Sequence, residues 1–307
     1  MCVATKVGIR TVRFVNGTVD TVILALMMLL ITLGIFVIWE TNQIFNRADS
    51  TQYTIYKPTV ENEALSFMEL QALNPDVFAW LTVYGTNIDY PVVQGADNLD
   101  YVSRSARGEY SFSGAIFLDW QTSRDFADFT SIIYGHHMDR NAMFGDIGSF
   151  ADEEYFKARR YGTLFFDGEE HGIEFFLFTH VDAYDPEIFR VKIEGQEQQQ
   201  AYLDLLYSVA MHTRDIQVMT DDRLIMLVTC SIITTNGRDI LVGRLTDNVA
   251  ENTFNLEETG TGNIFTIDGL PELWAQTPLL AKIFIIALPF VIVALLVTLI
   301  IKKKRRA

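Results

Sequence analysis

Two long apolar runs without charged residues lie near the two ends of the chain. The first covers residues 21–39 and the second covers residues 283–301. A helix of about 20 apolar residues crosses a hydrocarbon layer roughly 30 Å thick, so we predict transmembrane helices at 21–39 and 279–301. The first run is longer than a signal-peptide core and has no small-residue cleavage site after it. The pattern therefore favours an uncleaved anchor.

Basic residues flank both apolar runs on their outer sides. Lys6, Arg10 and Arg13 precede the first run, and five basic residues at 302–306 follow the second. Lysine and arginine favour the cytoplasmic side of a membrane. We therefore expect a multi-pass protein of the cell membrane, with cytoplasmic tails at 1–20 and 302–307 and the region between the anchors outside the cell.

Between the anchors, the hydrophobic positions fall into short segments. Residues 40–60 are polar and predict a stalk, and residues 247–278 predict a polar linker. Within 61–246, short runs of β-branched and aromatic residues are bounded by turn residues, which indicates strands. The predicted strands are 80–85, 87–94, 114–120, 130–135, 162–166, 173–181, 189–193, 224–230 and 239–245.

Helical patterns are few in the same region. We predict helices at 151–160 and 196–211, and a short helix within 61–79 that ends before a proline break. Many short strands with few helices are typical of a β-barrel. The fold class is therefore mainly β with peripheral helices, in a closed or nearly closed barrel flanked by two membrane helices.

Charge and cysteine content narrow the chemistry. The formal net charge is −15, and both ends are basic, so the exported region is strongly acidic and we expect no nucleic-acid partner. The chain has two cysteines. Cys2 lies in the N-terminal tail, so Cys230 has no disulfide partner in the exported region. An unpaired thiol outside the cell is chemically exposed, which makes Cys230 a candidate nucleophile.

Cys230 ends a predicted strand, and the short connection 231–237 leads to the next one. If these strands form a hairpin, Arg238 faces Cys230 with Cβ atoms about 5 Å apart. A guanidinium there can stabilise a thiolate or an oxyanion, although it cannot act as a base. A histidine can supply proton transfer, and the tandem pair His136 and His137 ends another strand.

Two alternatives compete with a cysteine nucleophile. A lone cysteine is often a small buried hydrophobic residue, and a zinc site can combine cysteine with histidines. The chain has neither CxxC nor HxxxH spacing, so we favour the nucleophile over a metal site. No cofactor motif is present, and we expect no cofactor and no metal.

These residues together resemble the sortases, a family of cysteine transpeptidases. The resemblance covers roughly residues 60–246 and is most similar to class B. The segments that carry it are 134–138 (YGHHM), 227–230 (LVTC), 237–242 (GRDILV), 87–102 (NIDYPVVQGADNLDYV), 113–120 (SGAIFLDW) and the helix at 196–211.

The resemblance implies a closed eight-stranded sortase-type β-barrel and a catalytic set of Cys230, His136 and Arg238. It selects His136 over His137 because the family's histidine follows the glycine directly. Thr229 and Tyr134 also match, and they are expected to line the substrate groove. The implied reaction cleaves the C-terminal sorting signal of a secreted protein through a thioacyl intermediate on the cysteine.

The acceptor amine is left open by the sequence. The first expectation is a cell-wall peptidoglycan amine in a Gram-positive-type bacterium, as class B suggests. The second is a pilin lysine, because a C-terminal anchor is similar to the pilin-polymerising class C enzymes. A third, non-enzymatic hypothesis is an exported scaffold with a buried cysteine. The chain also departs from the family's TLxTC pattern. Residues 226–230 read MLVTC, so Met226 stands where the first threonine is expected.

Overall fold

The computed structural model describes residues 2–58, 65–231 and 236–254. The α-helices in this part of the chain are α1 (Cys2–Ala48), α2 (Leu65–Leu73), α3 (Glu153–Ala158) and α4 (Gln196–Ser208). The strands are β1 (Val77–Val83), β2 (Asp89–Val93), β3 (Ile116–Leu118), β4 (Thr130–Tyr134), β5 (Tyr161–Phe166), β6 (Glu169–Asp182), β7 (His212–Thr213), β8 (Leu224–Cys230) and β9 (Gly237–Thr246). Short 3₁₀ helices lie at Ser50–Tyr56, Asp100–Val102, Asp139–Asn141 and Ile147–Ala151.

Eight of these strands close into a barrel. Their order is β5-β1-β2-β3-β4-β8-β9-β6, and β6 pairs back onto β5. The β2–β3 and β4–β8 pairs are parallel, whereas the other pairs are antiparallel. The two-residue strand β7 adds to β6 outside the closed ring. The predicted closed eight-stranded barrel is therefore confirmed.

Side chains alternate between two cores along β8. Ile225 and Leu227 belong to the core inside the barrel. Met226 and Val228 belong to a second cluster on the outer face. That cluster includes the buried stripe of α4, formed by Tyr202, Leu203 and Leu206. Successive strand residues point to opposite faces. The side chain of Thr229 therefore points into the barrel, and that of Cys230 points to its outer face.

Residues 21–39 of α1 are apolar and mostly solvent-exposed within the chain. The helix includes one stretch long and apolar enough to cross a membrane, by length and composition alone. A membrane anchor and a signal sequence both pass this test. The second predicted membrane helix, 279–301, lies outside the described residues, as do most of the predicted linker and the basic tail at 302–307.

Residues predicted as a polar stalk are ordered against the barrel, which belongs to a compact unit spanning Glu40–Glu257. The helix α1 continues to Ala48, which is fully buried, and the following 3₁₀ helix buries Tyr53. The hydroxyl of Tyr90 on β2 donates to the Ala48 carbonyl at 2.8 Å. A few well-spaced apolar side chains therefore hold this part of the predicted stalk against the barrel.

The predicted strand at 189–193 is wrong, because this segment is irregular in the structure. The alternating apolar residues of this segment pack under α4 and do not pair with a neighbouring strand. Val191 and Ile193 are both buried in the cluster beneath α4. The two helices predicted at 151–160 and 196–211 are present as the shorter α3 and α4.

Glu174 on β6 is held by two arginines from neighbouring segments. Its carboxylate accepts from Arg160 Nε at 2.8 Å and from Arg244 Nη2 at 2.8 Å. Burial raises the pKa of Glu174, but the hydrogen bonds from both arginines outweigh it and leave this pKa below its ordinary value. The carboxylate therefore stabilises the fold while it is ionised.

We expect Glu174→Gln to lower the free energy of unfolding by about 1–2 kcal/mol at pH 7. The expected loss is modest for an ion pair because Arg160 is partly solvated. Because the folded pKa lies below the unfolded value, this contribution is complete above the unfolded pKa and is lost as pH falls through the folded pKa. Urea unfolding at pH 7 and pH 3 measures both effects. The exposed Glu187→Gln is the control, and an equal loss at both pH values contradicts the prediction.

Candidate active site

Three adjacent strands, β4, β8 and β9, meet at one rim of the barrel. Parallel pairing of β4 with β8 sets Tyr134 opposite Val228, and the Gly135 N–H donates to the Val228 carbonyl at 3.1 Å. His136 follows the last paired residue of β4 by two positions, as Cys230 follows Val228 on β8.

Arg238 completes this group from the other side of β8. In the antiparallel β8–β9 pair, Cys230 lies directly opposite Arg238, as the hairpin hypothesis predicted. Directly opposed residues have Cβ atoms about 4.5–5.5 Å apart and point to the same face. His136, Cys230 and Arg238 therefore lie at the same ends of three neighbouring strands.

This group faces outwards from the barrel. Cys230 follows the alternation of Met226 and Val228, which places it on the outer face, and its side chain is exposed. His136 and Arg238 are half-buried. A thiol that is open to solvent and lies directly opposite an arginine has the surroundings of a reactive cysteine.

The His136 ring is oriented by a backbone carbonyl. Its Nε2 lies 2.8 Å from the Val102 oxygen. Because a carbonyl only accepts hydrogen bonds, Nε2 must carry a proton in this contact. Nδ1 is then the nitrogen left to exchange a proton with a thiol or a substrate.

Gly114 packs tightly against the same ring. Its φ is +62°, a left-handed conformation that favours glycine. A Cβ at this position would lie 2.7 Å from the carbonyl oxygens of Tyr101 and Val102 and 3.1 Å from Cδ2 of His136. The glycine therefore allows the carbonyl of Val102 and the imidazole to approach each other.

His137 has different surroundings from its neighbour. It forms an isolated backbone bridge with Met143. Its Nδ1 is buried and has no hydrogen-bond partner within the residues that the structure describes. The two adjacent imidazoles thus differ in their surroundings, and His136 is the one whose ring nitrogen is held by a backbone carbonyl.

Tyr134 lies beside the group as a neutral phenol. It is half-buried, and its hydroxyl donates to Oδ2 of Asp119 at 3.4 Å. Burial raises the pKa of Tyr134, the charge and hydrogen bond of Asp119 raise it further, and the nearby Arg238 partly opposes them. The pairing of Tyr134 with Val228, two residues before Cys230, places Tyr134 close to the candidate site.

Thr229 lies beneath the surface and does not line it. Its side chain is 2% exposed, and its hydroxyl has no partner among the described atoms. On β9 it faces Asp239, whose Oδ1 lies 2.8 Å from Nδ1 of His180 on β6. This pair of a half-buried His180 and a buried Asp239 next to Arg238 was missed in the sequence, because only the strand register brings its two members together.

The remaining histidines lie away from the rim. His171 stacks on Phe166, and His212 contacts the Ala151 carbonyl at 2.7 Å through Nε2. Across the described ranges 2–58, 65–231 and 236–254, no group of three or more histidine, cysteine, aspartate or glutamate residues comes together as a metal site.

Known proteins resemble this chain over the barrel region. No protein-family model matches. Sortase B of Listeria monocytogenes is 30% identical over 181 residues, covering 58% of this chain and 72% of the relative. The structure of sortase B from the Type II pilus of Streptococcus pneumoniae is 49% identical with a TM-score of 0.52, covering 59% of this chain and 98% of that one.

A third relative has a related description. The structure of a Streptococcus pyogenes class B sortase involved in pilus biogenesis is 37% identical with a TM-score of 0.54, covering 58% of this chain and 97% of that one. The closed barrel, the exposed thiol at its rim and these similarities agree. The chain belongs to the sortase family, as a class B sortase and therefore a cysteine transpeptidase.

Proposed function

We propose that Cys230 is the nucleophile of this transpeptidase, that His136 transfers protons, and that Arg238 stabilises the negative charge that develops. The strand register supports the proposal, since the exposed Cys230 lies directly opposite Arg238 and His136 follows the end of β4 beside β8. Tyr134 and the surface around it form one wall of the proposed groove, and Thr229 supports Cys230 from below.

In the first half-reaction, the Cys230 thiolate attacks the carbonyl carbon of the threonine in a sorting signal. The carbonyl becomes a tetrahedral oxyanion, which the guanidinium of Arg238 stabilises. When the C–N bond breaks, the departing amine takes a proton from His136 at Nδ1. The secreted protein is then held on Cys230 as a thioester.

In the second half-reaction, an acceptor amine attacks the thioester carbonyl. His136 takes the proton from this amine, and the C–S bond breaks to regenerate the Cys230 thiolate. The product has a new amide bond between the threonine carbonyl and the acceptor. Two proton transfers in opposite directions thus use one imidazole.

We propose a pilin amine as the acceptor. The pilus-associated sortases from Streptococcus pneumoniae and Streptococcus pyogenes are 49% and 37% identical to this chain. Sortase B of Listeria monocytogenes and of Staphylococcus aureus are 30% and 26% identical. A peptidoglycan amine remains the competing acceptor.

We further propose that the enzyme acts at the outer surface of the cell membrane, held by α1 and by the predicted second helix at 279–301.

The acceptor is tested with purified full-length chain in detergent micelles. It is given sorting-signal peptides together with either a lysine-bearing pilin domain or a peptidoglycan cross-bridge peptide. Mass spectrometry identifies the amide product. Joining to the pilin lysine supports the proposal, whereas joining to the cross-bridge peptide alone supports wall attachment. If no peptide is cleaved and no thioester forms, the scaffold hypothesis gains.

Arg238→Lys is expected to lower kcat/KM on the order of 10²-fold. The lysine keeps the charge but lacks the planar pair of donors that an oxyanion hole needs. Peptide cleavage assays measure the effect. Arg244→Lys is the control, since Arg244 lies on the same strand but binds Glu174, and it should retain most activity. Near-normal turnover by Arg238→Lys argues against this role.

A further inference from the structure

The segment that follows the two histidines is conformationally strained. Arg140, Asn141 and Met143 all have positive φ, between 53° and 60°. This left-handed region is unfavourable for residues other than glycine, and such residues persist only where the surrounding structure holds them. The contacts around residues 139–143 therefore need an explanation.

This segment is bonded directly to the backbone of His136. The Phe144 N–H donates to the His136 carbonyl at 3.0 Å. His137 and Met143 form an antiparallel bridge. A change in the path of 139–143 would therefore move the chain that carries the imidazole.

The end of α1 holds the segment from outside. The guanidinium of Arg140 lies over the ring of Phe45, 4.4 Å from its centroid. Arg140 Nη1 also lies 3.4 Å from Oδ1 of Asn42. Neither residue of α1 is part of the barrel. These contacts therefore join the last turns of α1 to the segment beside His136.

Tyr90 provides a second, buried connection between the same two parts. Its hydroxyl donates to the Ala48 carbonyl at 2.8 Å and accepts from the Met143 N–H at 3.0 Å. Tyr90 is 2% exposed. One phenol hydroxyl thus joins the last residue of α1 to the strained segment.

We propose that the end of α1, residues 42–48, is a positioning element for His136. It holds segment 139–143 in its left-handed conformation, and this segment fixes the backbone of His136. The inference rests on the proposed function of His136. It means that the membrane-proximal helix, besides tethering the barrel, contributes to the geometry of proton transfer. Phe45, Arg140 and Tyr90 are its positioning residues.

The test uses full-length chain in detergent micelles with Phe45→Leu, Arg140→Gln and the double variant. Both side chains are partly solvated, so the fold should persist. We expect each single variant to lower kcat about 3- to 10-fold, as the loss of a cation–π contact allows, with KM nearly unchanged. The double variant should be no worse than either single variant, because both remove the same contact. Phe45→Tyr and Arg140→Lys keep the ring and the cation and should retain activity.

Hydrogen–deuterium exchange of residues 136–146 gives a readout independent of activity. Exchange should be faster in Phe45→Leu and Arg140→Gln, and unchanged in the control Arg190→Gln, whose guanidinium bonds Glu187 and Gln198 instead. Tyr90→Phe should show the largest increase, because it removes both of its buried hydrogen bonds. Unchanged exchange in these variants overturns the proposal, and so does faster exchange with an unaltered kcat. If wild-type chain cleaves no peptide, the proposed function fails on its own, while exchange still shows whether α1 holds the segment.

Discussion

Replacing Cys230 with alanine is expected to abolish both peptide cleavage and transfer, with a loss on the order of 10⁴-fold or more in kcat/KM. In the proposed mechanism the thiolate of Cys230 forms the covalent bond to the substrate, and alanine has no atom that can replace it. Binding should survive, because the groove and its neighbours Tyr134 and His136 are unchanged. The variant should therefore still compete for sorting-signal peptides while it fails to turn them over.

Two measurements separate this result from a folding defect. Mass spectrometry of wild-type chain with substrate should detect a thioester on the peptide containing Cys230, which is absent from the variant. The matched control is Cys2→Ala, which removes the chain's other cysteine and should behave as wild type. Thermal unfolding of both variants should match wild type, since Cys230 is exposed and fills no space in the core. Persistent cleavage by Cys230→Ala would remove this thiol from the mechanism.

Local patterns in the sequence predicted most of the barrel. Strand β8 was predicted at 224–230, and the structure places it at Leu224–Cys230. Its residues are apolar on both faces, because one side fills the barrel and the other packs under α4. A strand can therefore be predicted from such an apolar run alone, without knowing which strands pair with it. The pairing of Cys230 with Arg238 was also accessible, since a short connection joins the two strands.

Contacts between segments that are distant in the sequence could not be predicted from local patterns. The carboxylate of Asp239 and the imidazole of His180 meet because β6 pairs with β9. Nothing in the order of residues gives this register. The same holds for the Val102 carbonyl, which orients the His136 ring across 34 positions of the sequence. The burial of Thr229 was missed for a related reason, since resemblance to a motif gives a residue's place in the chain but not the face it occupies.

Polar composition does not reveal the contacts that residues 40–58 make. Residues 40–58 contain many polar side chains, yet Ala48 and Tyr53 are buried and Phe45 meets the guanidinium of Arg140. Three anchored side chains suffice to fix a short helix end, because the remaining polar residues can face water. The strand predicted at 189–193 shows the opposite error, in which alternation reflected burial under a helix without strand pairing.

His136→Ala is expected to lower kcat/KM by about 10²- to 10⁴-fold, the usual range for a general acid–base. His137→Ala should be much milder, within several-fold of wild type. The difference follows from the proposed roles, because the Nε2 of His136 is held on the Val102 carbonyl and its Nδ1 stays available for proton exchange. His137 instead contributes to the bridge with Met143.

Steady-state cleavage assays of the two variants side by side test this assignment, with thermal unfolding as a control for folding. A substrate with an activated leaving group sharpens the test. Because such a leaving group needs no proton to depart, His136→Ala should lose less activity toward an activated ester than toward the peptide. His137→Ala should lose the same small fraction toward both substrates. If His137→Ala is the more severe variant and shows the ester effect, His137 transfers the proton and His136 only supports the rim.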